Sequence, residues 1–244
     1  LEGISHIVHA AAFVSVPGSL SDPVGSHETN VTGTLTTLKA AHDRNVSRVV
    51  YISSSAVYGS TEHLPAHEDL PFAPESPYAA EKAAAESYVH LFGTLWNMET
   101  IRLRPFNIYG PRQNPSGGYA AVIPKFASSI ARGERPVIFG DGSATRDFIY
   151  VEDAVNATLL SLVAPDVSGG VFNVAGGSES SINDLMKTMN EINGSRIEPL
   201  YGAPRSGDIV RSVADITRAE KGLGFRAATS LKDGLQKTIA SFSL

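Results

Sequence analysis

Cysteine is absent from the 244 residues, which excludes disulfide frameworks, thiol catalysis and cysteine-ligated zinc. Charge is scarce: Asp, Glu, Lys and Arg make up 18% of the chain, and the net charge is −5. So mild an acidity gives no electrostatic reason to bind nucleic acid or an anionic membrane, and neither is expected as a partner. No apolar run reaches the ~20 residues needed to cross a bilayer. The opening LEGISHIVHAAAF has no basic stretch before its apolar one, so it does not read as a signal peptide, and a cytoplasmic location is expected. There is also no initiating Met, and the apolar run from Ile7 to Ala12 comes almost at once. The chain therefore reads as entering in the middle of a fold.

Hydrophobic residues make up 42% of the chain, enough for a core, and they alternate between two patterns. Residues 4–12, 48–53, 100–104 and 171–174 read as strands, rich in β-branched and apolar side chains. Residues 30–42, 78–92, 121–131, 153–163 and 182–192 read as helices. Ser76 caps the second of these, with Pro77 in its first turn and Gly93 as its stop. Ser181 and Asp184 form a capping-box pattern, with Gly194 as a C-terminal stop. Strand–helix alternation predicts an α/β fold with a mainly parallel sheet. Pro and Gly gather between residues 105 and 147, where a segment is expected to leave the sheet.

Tyr78 and Lys82 are four apart on a predicted helix and share one face. A free phenol, with a pKa near ~10, is a poor base at neutral pH. A nearby ammonium favours the phenolate, so the pair is expected to have a lowered Tyr78 pKa and to take a proton from an alcohol. Ordinary helix residues share that spacing, and context adds weight. The run SSSAVYG at 53–59 follows a predicted strand, and ligands of parallel sheets bind at the carboxyl ends of strands. A serine-rich turn could equally satisfy its own backbone there.

Four segments in order carry a resemblance: SSSAVYG at 53–59, SPYAAEK at 76–82, RLRPFNIYGPRQ at 102–113 and GDGSATRDFIYVEDA at 140–154. Together they resemble the extended short-chain dehydrogenase/reductase family, and within it the NAD-dependent nucleotide-sugar 4-epimerases. HAAA at 9–12 and NVTGT at 30–34 resemble further family segments. The resemblance implies a Rossmann-like parallel sheet (residues 1–108 and 148–175) with a smaller nucleotide-sugar-binding region (109–147 and 176–244). It implies NAD as cofactor, contacted by Ala10, Ala11, Ala12, Asn30, Ser53, Tyr78, Lys82 and Pro105. It implies Ser54, Tyr78 and Lys82 as the catalytic residues, with Tyr78 as the base. A UDP-sugar substrate would meet Ser54, Asn107, Val122, Ile123, Pro124, Phe139, Arg146, Arg205, Asp208 and Ser212, and a homodimer is implied. Two arginines suit a diphosphate, because planar guanidinium forks bind its oxygens in pairs; a salt bridge to Asp147 is the plainer role for Arg146, and a solvated charge for Arg205.

By the same resemblance a small residue at Ser212 leaves room for an N-acetyl group, and YAAVIPK at 119–125 resembles the N-acetyl-tolerant branch. The family opens with a Gly-rich strand–turn–helix that is not found here, so the chain is expected to match from the family's fourth strand onward. Other activities stay open: 4-uronate epimerase, dehydratase, decarboxylase, keto-sugar reductase, or a non-catalytic binding module. Ser55 and Ala56 stand where dehydratases carry Asp-Glu, which argues against dehydration.

Two weaker signals fail. Gly140-x-Gly142 has Thr145 where a third glycine belongs and leads into a strand pattern. His63 and His67, with Glu68, have Pro65 between them, and no third ligand stands out.

Overall fold

The computed structural model describes residues 2–115, 121–204 and 209–242. Four parallel strands form the main sheet, β1 (His6–His9), β2 (Arg48–Ile52), β3 (Glu99–Pro105) and β7 (Val171–Val174), in the order β1-β2-β3-β7. Strand β2 shows why they are strands. Its side chains alternate between faces: Val49 and Tyr51 join the core with Leu38, Ala85, Val89 and Phe92, while Val50 joins Ile101, Leu103, Phe172 and Leu223. Both faces are covered, as helical crossovers between parallel strands require.

On one face lie α1 (Val16–Ser21), α2 (Pro23–His27), a π turn (Glu28–Thr32), α3 (Gly33–Asp43) and α4 (Pro77–Trp96). On the other lie α6 (Val151–Val163) and α8 (Thr217–Leu223). The predicted α/β fold with a parallel sheet is the observed one. Helix α8, which the sequence reading assigns to the smaller region, packs Ala219 and Leu223 into the core of the main sheet.

The segments between β3 and α6, and after β7, build a second layer. Strands β4 (Asn107–Tyr109) and β6 (Thr145–Tyr150) pair in parallel, and β6 pairs antiparallel with β8 (Glu179–Ser181). Strands β5 (Val137–Phe139) and β9 (Leu200–Gly202) make a separate pair. Helices α5 (Val122–Ala131), α7 (Ile182–Asn193) and α9 (Leu231–Ala240) close over them around Phe126, Ile138, Leu185 and Leu235.

Several boundaries differ from the sequence reading. The strand expected over 4–12 is only His6–His9, because Phe13 turns its backbone to Asn30: Phe13 N donates to Asn30 Oδ1 (2.8 Å) and Asn30 Nδ2 donates to Phe13 O (3.1 Å). The helix expected over 30–42 begins earlier, through α2 and the π turn. Ser76 caps α4, its Oγ accepting from Ala79 N, with Pro77 in the first turn. Gly93 does not end α4, which runs on to Trp96 and stops at Asn97 in the left-handed region. Gly93 serves close packing instead: a Cβ there would lie 2.7 Å from Thr100 Oγ1 on β3. The strand expected over 100–104 runs from Glu99 to Pro105. Ser181 and Gly194 cap α7 at its two ends.

Candidate active site

Strand β2 delivers Ser54 to the carboxyl edge of the main sheet, where it caps a short 3-10 turn (Ser55–Tyr58) and its Oγ accepts from Ala56 N (3.2 Å). The hydroxyl thus has the local backbone role that a serine-rich turn offers, and it also faces the cleft. Helix α4 starts beside it. Its Ser76 and Pro77 set the first turn so that Tyr78 and Lys82 point the same way, one turn apart. Tyr78 is fixed from behind, its backbone N–H donating to Ser19 Oγ (3.0 Å). Lys82 Nζ donates to Ile52 O (2.9 Å) and lies 5.0 Å from the Tyr51 ring centre and 5.9 Å from that of Tyr78.

Three pockets run into one another here. The first, about 490 Å³, is lined by Ala10, Ala12, Ser53, Ser54, Tyr78, Lys82 and Pro105. The second, about 390 Å³, holds Ser54, Tyr78, Asn107, Arg146, Arg211 and Ser212. The third, about 280 Å³, holds Asn107, Val122, Ile123, Phe139 and Arg146. Ser54 and Tyr78 are common to the first two, and Asn107 and Arg146 to the last two. One cleft therefore joins residues read from distant parts of the sequence.

Other expected contacts take different places. Asn30 is buried and gives its side chain to the Phe13 backbone and to Glu81 Oε2 (2.7 Å), so it braces the Ala10–Ala12 loop from beneath. Ala11 is exposed and is not among the lining side chains. Pro124 is buried within α5 and does not line the third pocket. Asn107 Nδ2 donates to Asp147 O (2.9 Å), and Arg146 Nη1 donates to Thr145 O (2.8 Å) and Ile209 O (2.7 Å). Asp147, considered as a salt-bridge partner for Arg146, accepts backbone N–H groups from Gly176, Gly177 and Ala214. Arg205 and Asp208 lie outside the described residues, as does Tyr119.

The electrostatics correct one expectation. Tyr78 is not lowered: burial pushes its phenol up, the Ser54 hydroxyl opposes this, and the Glu81 charge adds to it. Burial also pulls Lys82 down to about 8, against the charges of Glu86 and Glu81. Phenol and ammonium share one desolvated corner, and withdrawal from water penalises the ionised form of each.

Sequence reasoning missed the polar layer beneath this corner. Glu86, fully buried and one turn past Lys82, accepts from Ser53 Oγ (2.5 Å) and from Arg104 Nε (2.9 Å) and Nη2 (2.8 Å). Arg104 Nη1 donates to the Tyr58 hydroxyl (3.0 Å), which donates to Asn173 Oδ1 (2.6 Å). The signal was present: RLRP puts Arg102 and Arg104 in a strand that reads as buried, and such a cation requires a partner.

Residues 1–175 match the model of the NAD dependent epimerase/dehydratase family. The chain belongs to that family. The UDP-glucose 4-epimerase of Mycolicibacterium smegmatis is 39% identical over 237 residues, a match spanning 97% of this chain and 75% of that protein. Among solved structures, the UDP-N-acetylglucosamine 4-epimerase of Methanobrevibacter ruminantium M1, in complex with UDP-N-acetylmuramic acid, superposes with a TM-score of 0.96 at 40% identity, covering 99% of this chain and 77% of that one. The UDP-glucose 4-epimerase of Thermus thermophilus, in complex with NAD, superposes with a TM-score of 0.89 at 33% identity, covering 98% and 78%.

Proposed function

We propose that this chain epimerises carbon 4 of a UDP-sugar with NAD as cofactor. One observation carries the reading: Ser54 and Tyr78, with Lys82 behind them, share a cleft with the polar pair Asn107 and Arg146. The first pocket fits the nicotinamide half of NAD. Ala10 and Ala12 leave its wall low, and the buried Lys82 ammonium gives one hydrogen bond among the described residues. It therefore keeps donors for ribose hydroxyls. When bound, NAD supplies the hydride acceptor and donor.

The chain's own residues handle the proton and the orientation. Tyr78 takes the proton of the sugar's 4-hydroxyl as that carbon is oxidised to a ketone, and returns it when the ketone is reduced from the other face. The Ser54 hydroxyl, beside Tyr78, holds the same oxygen. Lys82, while charged, lowers the cost of the phenolate. Arg146 and Asn107 hold the diphosphate, and Val122, Ile123 and Phe139 hold the uridine. In this reading residues 1–108 with 148–175 and helix α8 form the cofactor half, and 109–147 with the rest of 176–244 the nucleotide-sugar half. Among the described residues no carboxylate lines the second pocket, which favours epimerisation over 4,6-dehydration.

Ser212 lines the pocket that holds Ser54 and Tyr78, and its small side chain leaves room for an N-acetyl group, so N-acetylated UDP-hexosamines are accepted alongside or above the plain UDP-hexoses. A homodimer would use α4, where Tyr88, Leu91 and Leu95 form an exposed apolar stripe at helical spacing. Among the described residues no helix is long and apolar enough to cross a membrane; with NAD and a UDP-sugar as its ligands, the chain belongs in the cytoplasm.

The test is interconversion of UDP-N-acetylglucosamine and UDP-N-acetylgalactosamine, in a chain extended ahead of Leu1 by the Gly-rich segment of a relative. Tyr78→Phe is expected to lower turnover by about 10²-fold or more, with UDP-sugar affinity little changed. Turnover within about threefold of the parent, far less than the loss of a proton-transfer group produces, would remove Tyr78 as the base.

A further inference from the structure

Resting on the reading of Ser212 as a wall of the sugar pocket, we propose that Asp147 is a positioning residue for sugar selection: its buried carboxylate fixes the backbone of the segment that carries Ser212. Three consecutive residues of β6 tie that segment down. Thr145 N donates to Val210 O (2.9 Å), Arg146 Nη1 donates to Ile209 O (2.7 Å), and Asp147 Oδ2 accepts from Ala214 N (3.1 Å). Arg211 and Ser212 lie between these anchors. Asp147 also accepts from Gly176 N at Oδ1 (2.8 Å) and from Gly177 N at Oδ2 (3.2 Å). Gly176 comes that close because it has no Cβ, which would lie 2.7 Å from Phe148 O and 3.2 Å from Asp147 Oδ1.

The carboxylate is 0% exposed and serves as an acceptor for two separate loops at once. An ionised carboxylate accepts on both oxygens and carries no donor of its own. A carboxamide of the same shape turns an N–H toward one loop or the other, and so does a protonated acid through its O–H. Either change sets donor against donor at the Gly176 side or at the Gly177–Ala214 side, and the wall loses an anchor.

The charged groups on the elements around it are Arg146 of β6, Glu179 of β8, and Arg211 and Asp215 of the 209–215 segment. Glu179 is paired with Asp147 across the β6–β8 ladder and holds Arg211, with Nη2 at 2.5 Å. Arg211 and Thr145 keep Glu179 low, and Thr217 keeps Asp215 low, so both stay ionised where Asp147 titrates. Burial raises Asp147 to about 6, against the three backbone donors.

Calorimetric titration of the 244-residue chain with UDP-N-acetylglucosamine, UDP-glucose and UDP tests this without bound NAD. At about pH 7.5 the two sugars are expected to bind with different Kd. Asp147→Asn is expected to move their Kd ratio toward one by about fivefold or more, with the Kd for UDP within about twofold. Lowering the parent chain to about pH 5.5 should move the ratio the same way; both sugars carry the same diphosphate, so its own titration cancels. In Asp147→Asn the ratio should no longer depend on pH. A uniform weakening of all three ligands, an unchanged ratio, equal binding of the two sugars by the parent, or pH dependence that survives in the variant overturns the proposal. If the variant does not fold, the parent's pH series decides alone, and a constant ratio overturns it. A parent chain that binds no UDP overturns instead the nucleotide-sugar reading beneath it.

Discussion

Lys82 is 3% exposed, carries a charge at neutral pH, and pairs with no carboxylate among the described ion pairs. Its folded pKa of about 8 lies below the ordinary lysine value. Between the two values the unfolded chain binds more protons, so stability rises with pH. Below pH 8 the folded state carries the full cost of a desolvated cation; above it the cost fades as the folded lysine loses its proton. Lys82→Met is therefore expected to stabilise the chain at pH 7 by about 1–3 kcal/mol, after subtracting about 1 kcal/mol for the bond to Ile52 O. The gain should shrink toward about pH 10, near the ordinary lysine value, while turnover is lost. Denaturant unfolding at both pH values checks this; a variant less stable than the parent near neutrality contradicts it. Tyr78 and Lys82 were legible in the sequence because one helical turn relates them. The direction of the Tyr78 shift was not, because it depends on how deeply other segments bury the phenol.

Helix α4 is held to the sheet by features of opposite kind. Glu86 and Arg104 form a buried bidentate pair across α4 and β3, joined by Ser53 from the end of β2. Glu86→Ala leaves the Arg104 guanidinium uncompensated in the core and is expected to cost about 3–5 kcal/mol. Glu86→Leu with Arg104→Met should recover much of that loss, since the buried pair itself contributes little net stability. Thermal unfolding of the two variants beside the parent tests it, and equal loss in the single and the double variant would speak against the pair. Further along, Gly93 touches Thr100 across the helix–sheet contact. In an exposed helix Gly→Ala gains about 1 kcal/mol; here Gly93→Ala is expected to lose about 1–3 kcal/mol through overpacking, and Thr100→Ala beside it should restore the loss. Neither partner was legible in the sequence: RLRP shows only that a buried arginine needs one, Gly93 reads as a stop, and both are decided by what lies across the contact.

At the scale of the molecule, β1 pairs with β2 alone among the described strands, and Val8 on it is 39% exposed. On α6, Val155, Leu159 and Val163 form a second exposed apolar stripe at helical spacing. An unpaired edge near apolar surface is a template for association. The 244-residue chain is expected to self-associate at micromolar concentration in sedimentation velocity, and Val8→Lys, which places a charge on the edge, should shift it toward monomer. A monodisperse parent with an unchanged variant would show that the edge is shielded.

The sequence by itself determined what neighbouring residues decide among themselves: the strand–helix alternation, the Ser76 and Ser181 caps, and the register that puts Tyr78 over Lys82. Its motifs carried the family and the positions proposed for the site, of which Ser54, Asn107, Arg146 and Ser212 share one pocket. The tertiary structure decided what distance along the chain conceals. Strands β4, β5, β8 and β9 have three residues each, too few to show a period of their own, and exist because a partner strand completes their hydrogen bonds. Asn30 braces the backbone at Phe13 because its amide bonds there and to Glu81. Glu86 and Asp147 matter because burial turns a carboxylate from a solvated charge into a group whose every lone pair requires a donor, and the donors come from segments that only folding brings together.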